Sequence, residues 1–305
     1  MTIVVGLAPD ERGLAALLLG NELALSAEEP LHACVVVAAP WPPSPDRLDA
    51  EYLSILDRGA QAALDDAAKR LNPTLSASFE LKHARSVPAG LLEVAKERDA
   101  ATVVLGSSPA GVLGRVTLGS VGNRILHSAG VPVAIAPRGY LCDPLTNVSR
   151  ISVAYGGNSE DDLVVAAGAL ATRVRAAFRI VSFVVHPKAY FGGMVTSDAE
   201  GLVMNRWAKD NAKAVDAALA RLRELPNAPD PLEVTVGQGD TWAQAIDSVA
   251  WETSDVLVVG SSSAGPIERV FIGSRASKIV RDAPVPVVCV PRSAAKEHAA
   301  AELEE

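Results

Sequence analysis

Gly106 to Arg138 reads GSSPAGVLGRVTLGSVGNRILHSAGVPVAIAPR, and Gly260 to Arg292 reads GSSSAGPIERVFIGSRASKIVRDAPVPVVCVPR. The two stretches align without a gap at a constant offset of 154 residues, and 16 of 33 positions are identical. One register held over that distance means that the chain is a single unit written twice. The offset is the length of an ordinary domain, far above the 20–50 residues of a solenoid repeat. A chain of 305 residues therefore divides into two related domains, each long enough to bury its own core.

Working outward from the repeat, each half alternates short β-branched runs with helical stretches. In the first half TIVVGL, HACVVVAA, SASFELKH, ATVVLG and PVAIAP read as strands. Glu11–Ala27, Ala50–Leu71, Pro88–Arg98 and Gly119–Ala129 read as helices. The second half repeats the order, with strands RISVAY, FRIVSFVV, LEVTVG, DVLVVG and PVVCVP. Its helices fall near Glu160–Arg175, Gly201–Leu225, Thr241–Glu252 and Ser274–Asp282. Strands separated by helices of this length pair in parallel, because a parallel crossover needs that much chain. Near-continuous apolar strands such as VLVVG imply a sheet covered on both faces. The expected fold is α/β, with two domains. Each is an open five-stranded parallel sheet with helices on both faces. The boundaries read as 1–139 for the first domain, 140–149 for a linker, 150–293 for the second domain and 294–305 for a frayed polar tail.

Composition narrows the function. Apolar residues are 49% of the chain and aromatics only 4%, so Val, Ala, Leu and Ile must fill the core. The formal charge of −8 argues against a nucleic-acid partner and against an anionic membrane surface. The N-terminus MTIVVGLAPDERG enters a strand directly, without a basic region or a long apolar run. Neither a signal peptide nor a membrane span is expected, and the expected location is cytoplasmic. Cys34, Cys142 and Cys289 have no CxxC spacing, and the five histidines have no HxxxH or HExxH spacing. Reduced buried thiols and no metal are expected.

In open α/β sheets ligands bind beyond the carboxyl ends of the strands, where the strand order reverses. Gly106 and Gly260 end the fourth strand of each half. Gly119-Ser120 and Gly273-Ser274 then open a helix. Glycine lets backbone approach a ligand, and free amides at a helix start suit an anion such as phosphate. At these residues the chain resembles the universal stress protein family in its tandem form, over residues 2–138 and 150–292. The family motif is G-x2-G-x9-G-[ST], and its ATP-binding branch places the triphosphate there. Gly106, Gly119 and Ser120 match in one half, and Gly260, Gly273 and Ser274 in the other. Pro109 and Ser263 replace the middle glycine. Ala8 and Gly156 align with the family's first-strand Asp, and Asp10 lies two residues on.

The resemblance implies two Rossmann-like domains of the adenine-nucleotide hydrolase-like type, and ATP or another adenine nucleotide as ligand, with Mg only as its companion. The implied site residues are Gly106, Ser107, Gly111, Gly114, Arg115, Gly119, Ser120 and Val121, and Gly260, Ser261, Gly265, Gly273 and Ser274. Arg269 is equivalent to Arg115. Glycines at strand ends and helix starts also have purely architectural uses. The family's fifth strand pairs across its dimer. The Pro-bounded runs VPVAIAP and VPVVCVP are therefore expected to pair within this chain as a pseudo-dimer, which leaves room for a homodimer. His83 falls near the ligand edge, with a loop role as the plainer reading. The tract Tyr155–Asp162 (YGGNSEDD) faintly resembles the SGGxDS loop of ATP pyrophosphatases, against a Ser159–Asp162 capping box as the plainer reading. No GxSxG elbow or triad pattern occurs. The leading expectation is a non-catalytic small-ligand sensor. The alternatives are a scaffold with degenerate sites or an ATP-using enzyme of the same superfamily.

Overall fold

The computed structural model describes residues 1–38, 47–156, 161–185, 197–224, 228–230, 232–260, 274–291, 293–296 and 299, with backbone alone for 47–50, 197–208 and 211. The first half runs β1 (Thr2–Gly6), α1 (Glu11–Ala27), β2 (Leu31–Ala38), α2 (Arg47–Arg70), β3 (Ala77–Ala84), α3 (Val87–Glu97), β4 (Ala100–Gly106), α4 (Ser120–Leu126) and β5 (Val133–Ala136). The second runs β6 (Arg150–Ala154), α5 (Asp161–Arg173), β7 (Ala177–Val185), α6 (Ser197–Arg223), β8 (Leu232–Gly239), α7 (Trp242–Asp247), β9 (Asp255–Gly260), α8 (Ser274–Asp282) and β10 (Val287–Val290).

Ten strands form one sheet in the order β3-β2-β1-β4-β5-β10-β9-β6-β7-β8. Within each half every pairing is parallel. The two fifth strands meet in the middle as the one antiparallel pair among the described residues, with Val287 opposite Ile135, Val288 opposite Ala134 and Cys289 opposite Val133. Short apolar strands bounded by proline would be exposed edges in an isolated half. Pairing removes both edges at once.

That seam changes where the core lies. Separate cores for the two halves were expected. Instead the buried apolar residues divide by sheet face, and each cluster crosses the seam. One face gathers Leu17, Leu64, Val164 and Val215 from α1, α2, α5 and α6. The other gathers Leu91, Ile125, Ile246 and Ile279 from α3, α4, α7 and α8. Right-handed crossovers place the first two helices of each half on one face and the last two on the other.

Several caps match the sequence closely. Asp10 caps α1 by accepting from the Arg12 amide at 3.0 Å, and Ser86 caps α3 with Pro88 in its first turn. Helix α7 stops at Asp247, short of the expected Glu252. Trp251 Nε1 donates to the Ile246 carbonyl at 2.8 Å, and the Trp251 ring stacks on the Arg179 guanidinium at 4.7 Å. The indole thus ties down the helix end and turns the chain away.

Two segments are more ordered than their composition suggests. In the expected linker, Tyr140 is buried and donates its hydroxyl to Glu22. The Pro144 carbonyl accepts from Asn21 Nδ2 at 2.8 Å, and the Val148 amide donates to Ser26 Oγ at 2.8 Å. The segment is strapped along α1. In the expected frayed tail, residues 293–296 are helical and Ala294, Ala295 and Ala299 are buried. Their small apolar side chains give the tail a face to pack, which its overall polarity hides.

Candidate functional site

The carboxyl ends of β1 and β4 stand side by side where the strand order reverses, with β2 and β3 on one side and β5 on the other. A cleft of about 280 Å³ opens there, near the lower end of small-ligand sites. Its floor is Gly6 to Pro9 after β1 and Gly106 to Ser108 after β4. One wall is the first turn of α4, Gly119 to Gly122. Val35, Val36, Val87 and Leu91 make the opposite side apolar, and Arg12 reaches in from α1.

The glycines have separable roles. A Cβ on Gly106 would stand 2.2 Å from the Arg12 carbonyl oxygen, so this glycine lets the start of α1 close over β4. A Cβ on Gly119 would meet nothing closer than Ser108 Cβ at 3.4 Å. Its backbone is extended (φ −87°, ψ −179°), which other residues adopt freely. Neither packing nor conformation therefore requires Gly119. As N-cap of α4 it makes no side-chain hydrogen bond to the first-turn amides, and that turn lines the cleft.

Of the expected residues in the first half, Gly106, Ser107, Gly119, Ser120 and Val121 line the cleft. Ser107 is committed to the scaffold. Its hydroxyl donates to the Ala136 carbonyl at 2.7 Å and accepts from the Thr117 amide at 3.1 Å. Gly111, Gly114 and Arg115 do not join the site. The Gly114 amide donates to the Arg138 carbonyl, and Arg138 Nη1 donates to the Gly111 carbonyl at 2.7 Å. Arg115 turns across the seam, donating to the Asp282 carbonyl at 2.5 Å and to Asp247 at 2.7 Å. The loop after β4 thus folds back on the end of β5 and on the second half, and carries these three residues away from the cleft.

Asp10 is also occupied. Arg12 pairs with its carboxylate and, with its amide, holds the carboxyl below the usual range. His83 is in β3, where its Nε2 pairs with Asp57 at 2.8 Å, so it is neither in a loop nor in the cleft. Sequence reasoning missed Arg12, Leu91 and Gly122 as lining residues. Arg12 was legible in principle, two positions past the N-cap that follows β1.

In the second half Gly260 ends β9 and Ser274 opens α8. Ser261, Gly265, Arg269 and Gly273 lie outside the described residues, as does the Ser159 side of the expected capping box. Asp161 accepts from Tyr155 Oη at 2.7 Å and from Arg221 at 3.3 Å, and Asp162 sits 3.7 Å from Arg221. These carboxylates hold α5 to its surroundings.

Two charged clusters lie at the opposite, amino ends of the strands. His32 bonds Ser78 and Glu80, and burial followed by the Arg98 charge lowers its pKa. At the matching place in the second half, buried Arg179 contacts Ser152 at 3.0 Å and Asp255 at 3.3 Å. Burial pushes the thiols of Cys34 and Cys289 up to about 12. Among the described residues there is no metal-ligating cluster and no helix long and apolar enough to cross a membrane.

An open parallel sheet with helices on both faces defines a Rossmann-like fold, here present twice in one chain, and in the first half a glycine-lined cleft opens at its switch point. The profile of the Universal stress protein family matches residues 1–137 and again 147–291, and the chain belongs to that family. It is similar to Universal stress protein Rv2319c of Mycobacterium tuberculosis, at 37% identity over 298 residues, covering 95% of this chain and 100% of that protein. Universal stress protein Mb2346c of Mycobacterium bovis matches with the same figures. Among solved structures, a universal stress protein from Archaeoglobus fulgidus shares the fold. Its TM-score is 0.56 at 16% identity, over 95% of this chain and 98% of that one.

Proposed function

We propose that this universal stress protein is a non-catalytic, cytoplasmic small-ligand sensor. The first half's cleft takes an adenine nucleotide, ATP or a shorter relative, with Mg only as the nucleotide's companion. The observation that carries this is the first turn of α4. That turn lines a cleft at the switch point, behind a glycine that the fold itself does not need and that leaves its amides without a side-chain cap. Phosphate oxygens accept from those amides, and the Val35, Val36, Val87 and Leu91 side receives the base. No described carboxylate or histidine stands in the cleft as a general base, which favours binding over turnover. The proposed organisation is a domain at 1–139, a domain at 150–293 and a strapped connection between them.

Calorimetric titration with ATP, ADP and AMP tests this. Submillimolar binding that is lost in Gly119→Val, a variant the backbone tolerates, supports it. Absent binding in a folded wild type refutes it. A scaffold role is the second reading, favoured by Val112 and Leu113, which stand 70% and 71% exposed on the loop after β4. It predicts partner binding that is indifferent to nucleotide.

A further inference from the structure

The sheet's topology leaves a gap that the family motif does not explain. On the face carrying α1, α2, α5 and α6, α1 lies over β1 and β4, and α5 lies over β6 and β7. Helix α1 reaches β4 and β5, and α5 reaches β9. Between these two helices a gap remains on this face beside the β5–β10 seam. The residues there are also small: Pro132, Ala166, Ala167, Ala169 and Ala294. The result is a cavity of about 290 Å³ walled by Ile3, Leu23, Val256, Val258 and Val288. It lies on the opposite side of the sheet from Leu91, Leu105 and Val121 of the cleft.

Apolar cavities of this kind stay dry and take up hydrophobes. This one is about twice the ~150 Å³ that admits benzene, which suits an alkyl chain of roughly ten carbons. One polar feature sits at its rim. Glu29, just past the end of α1, lines the cavity with its side chain 13% exposed. Its Oε1 faces Arg173 of α5 at 3.8 Å. Its Oε2 is buried and has no hydrogen-bond partner among the described residues. A buried carboxylate oxygen without a donor is costly, and a ligand N–H or O–H would satisfy it. Asp99 is the other acid at the rim, and Arg173 already faces Glu29. A carboxylate head would therefore meet two acids and one engaged cation.

We infer that this seam cavity is a second binding site, for a single-chain amphiphile with a hydrogen-bond-donating head, neutral or cationic, that reaches Glu29. The chain lies over the β5–β10 seam and the head sits between the ends of α1 and α5. The site uses residues of both halves, so only the tandem arrangement within one chain composes it in this form.

The test uses the full chain and N-phenyl-1-naphthylamine, a neutral fluorescent hydrophobe with one N–H donor. Its fluorescence should rise saturably at one molecule per chain, with displacement by 1-decanol and decylammonium at concentrations about tenfold below those of decanoate. Ala166→Phe, which fills the cavity from α5, should weaken probe binding by about tenfold or more without touching nucleotide binding. Ala27→Leu fills it from α1 should the first variant fail to fold. Glu29→Gln should retain the probe and bring decanol and decanoate to within about threefold of each other. Absent saturable uptake, or uptake unchanged in a folded filling variant, overturns the site. Decanoate matching decanol in the wild type overturns the role given to Glu29.

Discussion

Replacing Glu22 with glutamine should remove a large pH dependence from the stability of this protein. Glu22 lies in the middle of α1 and is fully buried. One carboxylate oxygen accepts from the Tyr140 hydroxyl on the strap between the halves. The other has no hydrogen-bond partner among the described residues. Burial pushes its pKa from 4.5 up to about 7, although the Tyr140 hydrogen bond pulls the other way. In the unfolded chain the carboxyl ionises near the ordinary value. The folded state therefore holds a proton that the unfolded state releases between those two values. The stabilisation is complete below pH 4.5 and is lost as pH rises to about 7. At about 1.4 kcal/mol for each pKa unit, the loss is about 3 kcal/mol by pH 8. The glutamine side chain keeps the shape, still accepts from Tyr140 and carries no proton to lose. Urea denaturation of both proteins from pH 5 to pH 8 should show the glutamine variant gaining on the wild type by about 2–3 kcal/mol, most of it below pH 7. Parallel pH profiles for the two proteins would refute the buried, proton-holding carboxyl and with it the tight strap.

Three further outcomes follow from the same geometry. Gly106→Ala should destabilise by about 2–4 kcal/mol because its Cβ meets the Arg12 carbonyl, whereas Gly119→Ala should stay within about 1 kcal/mol, both read by denaturant melts. Arg115→Ala should cost about 1–2 kcal/mol and leave nucleotide affinity unchanged, since the side chain binds Asp282 and Asp247 rather than the cleft. A thiol-titrating aromatic disulfide should find no reactive thiol in the native protein and all three cysteines after unfolding. Burial raises Cys34 and Cys289 to about 12 and Cys142 to about 11.

The fold was legible because its signals are local and doubled. Strand runs such as DVLVVG and the Asp10 and Ser86 caps fix elements to within a residue or two. The aligned repeat supplies the second half from the first. The seam was legible through the resemblance, because two short Pro-bounded apolar strands stand where the family's fifth strand pairs across its dimer. What stayed hidden depends on contacts distant in sequence. Gly111, Gly114 and Arg115 look like site residues until the loop is seen folding onto Arg138 and the second half. Trp251 shortens α7 through an indole bond that helical periodicity cannot encode. The strap and the tail read as polar segments. Tyr140, Ala295 and Ala299 nonetheless join the core, Tyr140 through a partner 118 residues away along the chain. The cavity over the seam is a matter of topology, since it forms between α1 of one half and α5 of the other.

The central claim is that backbone amides opening α4 bind a nucleotide's phosphates at the switch point. Backbone amide NMR of the full chain during an ATP titration tests it residue by residue. Shifts that saturate together at Ala8, Ser108 and Ser120 to Gly122, with Gly114 and Arg115 unmoved, are the predicted result. Saturating shifts that leave Ser120 to Gly122 in place, or none at millimolar ATP, would contradict it.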